Sequence, residues 1–284
     1  YQKIIDNHLD PLLGAVPLSK LSPKQIQEYY QTMTRTEGLS SNTIRRHHDL
    51  LSAALRMAVR QDMLRVNPME RVEPPRPKLH EASYYTQENL KVLYQLVEGH
   101  WLEMVVKVTA GLGLRREEIC GLKWESVDFQ RRVVHIKEAR TAYGATVVQK
   151  ETKNRSSMRT LFMPDELYEL LRREKARQEQ ERAIRGGDYA ASGHVVLDRE
   201  GLPYSPNALS LAFTRFVRKN HLPRLTLHGL RHTFATIASA QGVPLFDIGK
   251  AMGHSTPATT GRIYTHLVDR THEETLLLVS AALK

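Results

Sequence analysis

The stretch HGLRHTFA at 228–235 sets His228, Arg231 and His232 within five residues of a helical pattern. Three kinds of chemistry could use them. Histidines at i and i+4 suit a zinc site, but the stretch lacks the glutamate of H-E-x-x-H and no third ligand is signposted nearby, so no metal is expected. Burial with backbone partners suits His232, which runs directly into the apolar TFATIASA. In the third use, residues three apart share a helix face, so His228 and Arg231 can reach one bound group. An imidazole beside a guanidinium fork suits a phosphate. A phosphodiester gaining charge in its transition state needs further donors. In TAGLGLRREEICGLKW, Arg115 follows a glycine-rich bend at a helix start, where backbone N–H groups also favour anions. Glu118, three residues on, can hold a neighbouring guanidinium or imidazole. In ETKNRSSMRTLFMP, Lys153 falls at a β-turn whose tip could present it to a scissile group; Lys150 and Arg155 lie close by, and hairpin register can slip. Taken singly, residues of these types are more often surface charges.

The elements that must position these residues are mostly helical. LSPKQIQEYYQTM offers Ser22 as N-cap and Pro23 as first helical residue, with Ile26, Tyr29, Tyr30 and Met33 inward. A second helix over 41–60 puts Ile44, His48, Leu51, Leu55 and Ala58 on one stripe and Arg45, Asp49, Ser52, Arg56 and Arg60 on another, the latter either solvated or facing phosphate. Three prolines in VEPPRPKLHEASYY mark a linker. Beyond it, TQENLKVLYQLVEG is a helix capped by Thr86, and another follows from about Trp101. RRVVHIKEA, ATVVQKET and MRTLFMP then have the β-branched content of a small antiparallel sheet. PDELYELLRREKARQEQERAIR reads as a solvated charged helix. SPNALSLAFTRFVRKN buries Leu209, Phe213 and Phe216 and leaves Arg215, Arg218 and Lys219 on polar faces; VPLFDIGKAMG and TPATTGRIYTHL are short helices. The expected fold is mainly α with a small antiparallel β-sheet, in two domains: helical over 1–75, a linker over 76–83, and mixed α/β over 84–284.

The chain has 284 residues, 41% hydrophobic and 25% charged, and a net charge of +10, which favours a polyanionic partner such as nucleic acid. Its first 80 residues carry 12 Lys and Arg against 8 Asp and Glu, the denser positive charge. No apolar run is long enough to span a membrane. The single cysteine, Cys120, excludes an internal disulfide, reads as a small buried hydrophobe and suits a reducing cytosol.

GLRREE, TKNRSSMRT, HGLRHTFAT, MGHSTPATT and RIYTHL stand in an order and spacing that resembles the tyrosine recombinases, or phage integrases, with the flavour of integrases of conjugative transposons and related phages. The resemblance spans roughly residues 20 to 270. It implies that Arg115 and Arg231 clamp phosphate, that Lys153 is the sheet-turn lysine, that His228 and His254 are the two motif histidines, and that Glu118 braces the site from behind. Tyr264, one of eleven tyrosines, becomes the nucleophile; only the GH before it and the TH after it single it out.

A phenol with a pKa near 10 needs a proton acceptor or a strongly positive site to attack phosphorus. The resemblance implies a 3′-phosphotyrosyl link on Tyr264, Lys153 as acid for the 5′-hydroxyl, His228 managing the tyrosine proton and His254 bonding the phosphate. No ATP, metal or other cofactor is implied. The partners implied are duplex DNA enclosed between the two domains, a homo-tetramer on paired sites, and accessory DNA-bending or excision proteins. Arg45, Arg56, Arg60, Arg215, Arg218 and Lys219 are the candidate DNA contacts. The apolar tail EETLLLVSAALK would dock on a neighbouring subunit or its own domain. The start at Tyr1 suggests an upstream arm-binding domain, and the implied location is the bacterial cytoplasm, on DNA. Two rivals remain: a type IB topoisomerase-like enzyme that reseals without partner exchange, and a non-catalytic architectural DNA binder, which would have no use for Tyr264.

Overall fold

The computed structural model describes residues 1–78, 83–144, 146–151, 158–190, 192–254 and 280–281. The chain divides into two compact units, Tyr1–Glu81 and Ala82–Lys284.

Unit one opens with a helical run, Gln2–Ile4, Ile5–Leu9 and Asp10–Leu13. Helix α1, Pro23–Arg35, starts where the sequence says it should: Gln25 N donates to the Ser22 hydroxyl (3.3 Å), and Ser22 N donates to the Gln25 side chain (2.9 Å). Its buried positions Ile26, Tyr29, Tyr30 and Met33 repeat at helical spacing. Helix α2, Ser41–Arg60, buries Ile44, His47, Leu55 and Ala58. The expected stripe had His48 inward, but His47 is the buried histidine. The Tyr29 hydroxyl lies 2.7 Å from His47 Nδ1 and satisfies it, whereas His48 is half-buried with its Nδ1 3.0 Å from the Tyr30 hydroxyl. The proline-rich segment is fastened to this unit at its start. Asn42 and Lys78 exchange two hydrogen bonds, and Arg45 donates to the Pro75 carbonyl at 3.0 Å.

Unit two is built around a helix that is buried almost all round. Helix α3, Gln87–Val97, is capped by Thr86 and buries Leu93 and Val97. Helix α4, Glu103–Leu112, buries Met104 through Ala110 and Leu112, including Lys107, whose ammonium reaches Glu103 at 2.9 Å and Glu166 at 3.5 Å. It ends at Gly113 in the left-handed region, φ 61°. Helix α5 is Arg116–Gly121. Strands β1 (Val127–Asp128), β2 (Val133–Ile136) and β5 (Arg159–Phe162) form a three-stranded antiparallel sheet, with Val134 opposite Leu161 and Ile136 opposite Arg159. Strands β3 (Glu138–Tyr143) and β4 (Thr146–Glu151) form a separate antiparallel pair. The sequence suggested one sheet, with 131–139 a single strand. The chain instead breaks at Lys137, and β3 leaves to pass over α5. Gly121 allows that approach, since a Cβ there would lie 2.9 Å from the Arg140 nitrogen.

Helix α6, Asp165–Arg185, is charged but not merely solvated. It buries Leu167, Leu170, Leu171 and Gln178, and the Gln178 amide accepts from Trp124 Nε1 (2.8 Å) and donates to the Val195 carbonyl (2.9 Å). Helix α7, Pro206–Lys219, is capped by Ser205 and buries Leu209, Phe213, Phe216 and Val217. Helix α8, Leu227–Ala240, is capped by Thr226, and α9 is Leu245–Met252. Ala235, Ile248 and Met252 make a small core between these last two helices. Among the described residues no helix is long and apolar enough to cross a membrane.

Candidate active site

Glu118 is the hub. It lies on α5 with only 2% of its surface exposed, a position an ionised carboxylate holds only if cations answer it. Two do so at close range. Arg159 of β5 donates from Nη1 to Oε1 (3.0 Å) and from Nη2 to Oε2 (2.9 Å). Arg115, immediately before α5, donates from Nη1 to Oε1 (2.7 Å) and from its backbone nitrogen to Oε2 (2.8 Å). Arg231 of α8 places Nη1 4.0 Å from the same carboxylate. Burial alone would raise the Glu118 pKa; the bonds and charge of Arg159, then Arg115, overcome it and hold the pKa at about 2.

The same three arginines reach the end of α9. Arg159 Nε donates to the Ala251 carbonyl (2.6 Å), Arg231 Nη2 to Met252 (2.7 Å) and Arg115 Nη2 to Gly253 (2.7 Å). Arg231 also donates from Nη1 to the Gly113 carbonyl (2.7 Å), which ties α8 to the end of α4. Arg231 is 1% exposed, whereas the Arg115 side chain keeps 30% of its surface open.

Three histidines border this cluster. His228, on the first turn of α8, is exposed, and its ring meets His232 edge-on with centroids 4.6 Å apart. His232 is buried and His254, just past α9, is half-buried. Desolvation of the rings by the surrounding protein, partial at exposed His228, comes first, then neighbouring positive groups including Arg231; together they lower all three pKa values, to about 4 for His232 and His254. At neutral pH they are therefore uncharged, each with one lone pair and one N–H. Among the described residues no group of three or more His, Cys, Asp or Glu could hold a metal.

The model of the phage integrase family matches residues 83–271, and that of the phage integrase SAM-like domain matches residues 2–73. The chain belongs to the phage integrase family. It is a tyrosine recombinase, an enzyme of DNA strand exchange. Its relatives include a XerC-like tyrosine recombinase of Caldanaerobacter subterraneus subsp. tengcongensis, 27% identical over 91% of this chain and 70% of that protein, and the ICEBs1 integrase of Bacillus subtilis, 23% identical over 95% and 74%. Among solved structures, the Tn1549 transposon integrase in complex with transposon right end DNA matches with a TM-score of 0.79, 24% identity and coverage of 93% of this chain and 88% of that one. The lambda integrase tetramer bound to a Holliday junction matches at 0.62, 17% identity and coverage of 88% and 69%. These matches bear out the expected family and the mainly helical, two-domain fold.

Within this recombinase, Arg115, Glu118, His228, Arg231 and His254 come together from segments more than a hundred residues apart, while Lys153 and Tyr264 lie outside the described residues, as does most of the tail. Arg56 and Arg60 are exposed on α2, although Arg56 Nε bonds its own helix at the Ser52 carbonyl (3.2 Å), and Arg215, Arg218 and Lys219 are exposed on α7. Arg45 is half-buried and already engaged with Pro75. Two participants were not singled out from sequence. His232 was read as structural, yet it packs on His228 and shares the cluster's field. Arg159 was overlooked inside TKNRSSMRT. The period-two alternation of MRTLF carried a faint signal, since it sets Arg159 on the same side of β5 as Leu161.

Proposed function

We propose that this enzyme is a site-specific integrase that moves a mobile element or phage into and out of DNA, with Tyr264 as its nucleophile. Tyr264 attacks the backbone phosphorus, forms a 3′-phosphotyrosyl bond and expels the 5′-oxygen, which takes a proton from Lys153. Arg115 and Arg231 stabilise the charge on the phosphate. His228, uncharged near neutral pH, accepts the phenolic proton, and His254 donates a hydrogen bond to a phosphate oxygen. Attack by a 5′-hydroxyl of another strand reverses the step and releases Tyr264, so bond energy is conserved without ATP.

The observation that supports this reading most is the convergence of Arg115 and Arg231 on one buried carboxylate, with His228 and His254 in the electrostatic field of both arginines. It is an anion-binding arrangement with neutral imidazoles at its edge. The helical unit would serve as the core DNA-binding domain and close on duplex DNA with the catalytic unit. Four copies would act on two paired sites in the bacterial cytoplasm, with accessory bending or excision proteins setting direction.

A duplex nicked near the cleavage position, so that the freed strand diffuses away, should accumulate a protein–DNA adduct resistant to SDS. Tyr264→Phe should abolish it while leaving DNA affinity within about threefold, because affinity is spread over many phosphates. An adduct that persists in Tyr264→Phe would overturn the assignment.

A further inference from the structure

The end of α9 accounts for all its carbonyls in an unusual way. A helix leaves its last carbonyls without intrahelical donors. Here the left-handed turn at Gly253 supplies the first of them: Gly253 N donates to Lys250 (3.0 Å) and His254 N to Gly249 (2.9 Å). The next three carbonyls in succession, Ala251, Met252 and Gly253, are taken by Arg159, Arg231 and Arg115, one guanidinium each. All three arginines also reach Glu118. The negative end of the helix dipole reinforces each contact.

These three differ in what they can offer a ligand. The Arg115 side chain is 30% exposed; Arg231, although 2% exposed, stands on α8 one turn from His228 in the proposed phosphate clamp, so burial alone does not separate the three. The Arg159 side chain is 7% exposed, and Nε, Nη1 and Nη2 all donate inward. Its role differs correspondingly. From β5 it braces Glu118, which in turn accepts from Arg115 Nη1, and it holds the Ala251 carbonyl just before the turn from which His254 projects. We propose that Arg159 is a positioning residue for strand cleavage: through Glu118 and the Ala251 carbonyl it sets Arg115 and His254 at the spacing one phosphate requires, without touching DNA itself.

This inference rests on the phosphotyrosyl reading above, and the experiment separates the two. Single-turnover adduct formation on the nicked duplex is measured for Arg159→Lys, Arg159→Met, Glu118→Gln, the double variant Arg159→Lys with Glu118→Gln, and Tyr264→Phe, alongside DNA affinity and thermal melting. Misplacement of catalytic groups by about 1 Å costs about 100-fold in rate. Arg159→Met should therefore lose about that much cleavage with DNA affinity within about threefold, and Arg159→Lys, which keeps the charge and one donor, should recover part of the loss. With its bidentate partner gone, Glu118 should take up a proton at higher pH. The wild type should lose rate on acidification only as His228 takes up its proton; the Arg159→Lys rate should show an additional acid limb from Glu118, and that added limb should vanish in the double variant, which should be no slower than Glu118→Gln alone.

A role confined to folding would lower melting without creating the limb. Wild-type rates in folded Arg159→Lys, or a loss confined to DNA affinity, would overturn the proposal. Should Arg159→Met fail to fold, Arg159→Lys and its double variant still decide. An adduct in Tyr264→Phe would instead discard the underlying mechanism, whatever the Arg159 variants do.

Discussion

The histidines of the cluster carry a readable consequence for acid stability. In the unfolded chain His232 and His254 would bind protons as pH falls through about 6.5, whereas in the folded enzyme they stay neutral until about 4. Between those values the unfolded state binds more protons, so stability falls as pH drops and ceases to fall on this account below about 4. The limiting slope is about 1.4 kcal/mol per pH unit for each histidine. Glu118 works in a lower window: its pKa is depressed to about 2 from 4.5, so its contribution is full above 4.5 and lost as pH falls through about 2. The melting temperature of unit two should therefore decline from pH 6.5 to 4, and His232→Gln should flatten the decline. A pH dependence identical to the wild type would mean that His232 is not held neutral. A shift in the same downward direction keeps His228 in the form that can accept a phenolic proton, so the setting that governs stability also serves the proposed chemistry.

At the level of elements, the junction between α4 and α5 carries the site, and Gly113 is its narrow point. Its φ of 61° favours glycine, its carbonyl receives Arg231, and a Cβ there would lie 2.7 Å from Cδ1 of Phe234 on α8. The left-handed conformation alone costs a non-glycine residue about 1–2 kcal/mol, and displacing Phe234 adds to it. Gly113→Ala should lower the melting temperature by at least about 3 °C in a unit of this size and slow cleavage by shifting Arg231. Unchanged melting and cleavage would show that the turn adapts. Helices were legible where their signals are adjacent in sequence: Ser22, Thr86 and Ser205 cap helices whose apolar faces follow at once. What was not legible depends on partners far along the chain. Arg159 finds Glu118 across 41 residues, and Gln178 on the charged helix finds Trp124 across 54. The break at Lys137 depends on Gly121 letting a second pair of strands pass, which strand composition does not encode. The clamp residues were candidates on residue chemistry alone, and motif resemblance joined them into one site; local periodicity placed them on helices but could not bring them together.

Over the whole molecule, the net charge of +10 sets how the enzyme should meet DNA, and exposure decides which cations contribute. Arg215, Arg218 and Lys219 stand on the exposed side of α7, opposite Leu209, Phe213 and Val217, and none of them has an acidic partner within ion-pair distance among the described residues. Arg45 differs: half-buried and donating to Pro75, it would have to give up a bond to reach a phosphate. Each lysine or arginine that neutralises a phosphate releases counterions and adds about 0.9 to the slope of log affinity against log salt. Replacing Arg215, Arg218 and Lys219 with glutamine should accordingly weaken DNA binding at low salt and reduce that slope by up to about 0.9 for each contact removed. Arg45→Gln should leave the slope nearly unchanged and act through the Pro75 contact instead. At saturating protein, cleavage by the α7 triple variant should approach the wild-type rate, because these residues lie outside the arginine and histidine cluster. An unchanged salt slope would remove α7 from the DNA-facing surface, and a cleavage defect that persists at saturation would place it closer to the chemistry than its exposure implies.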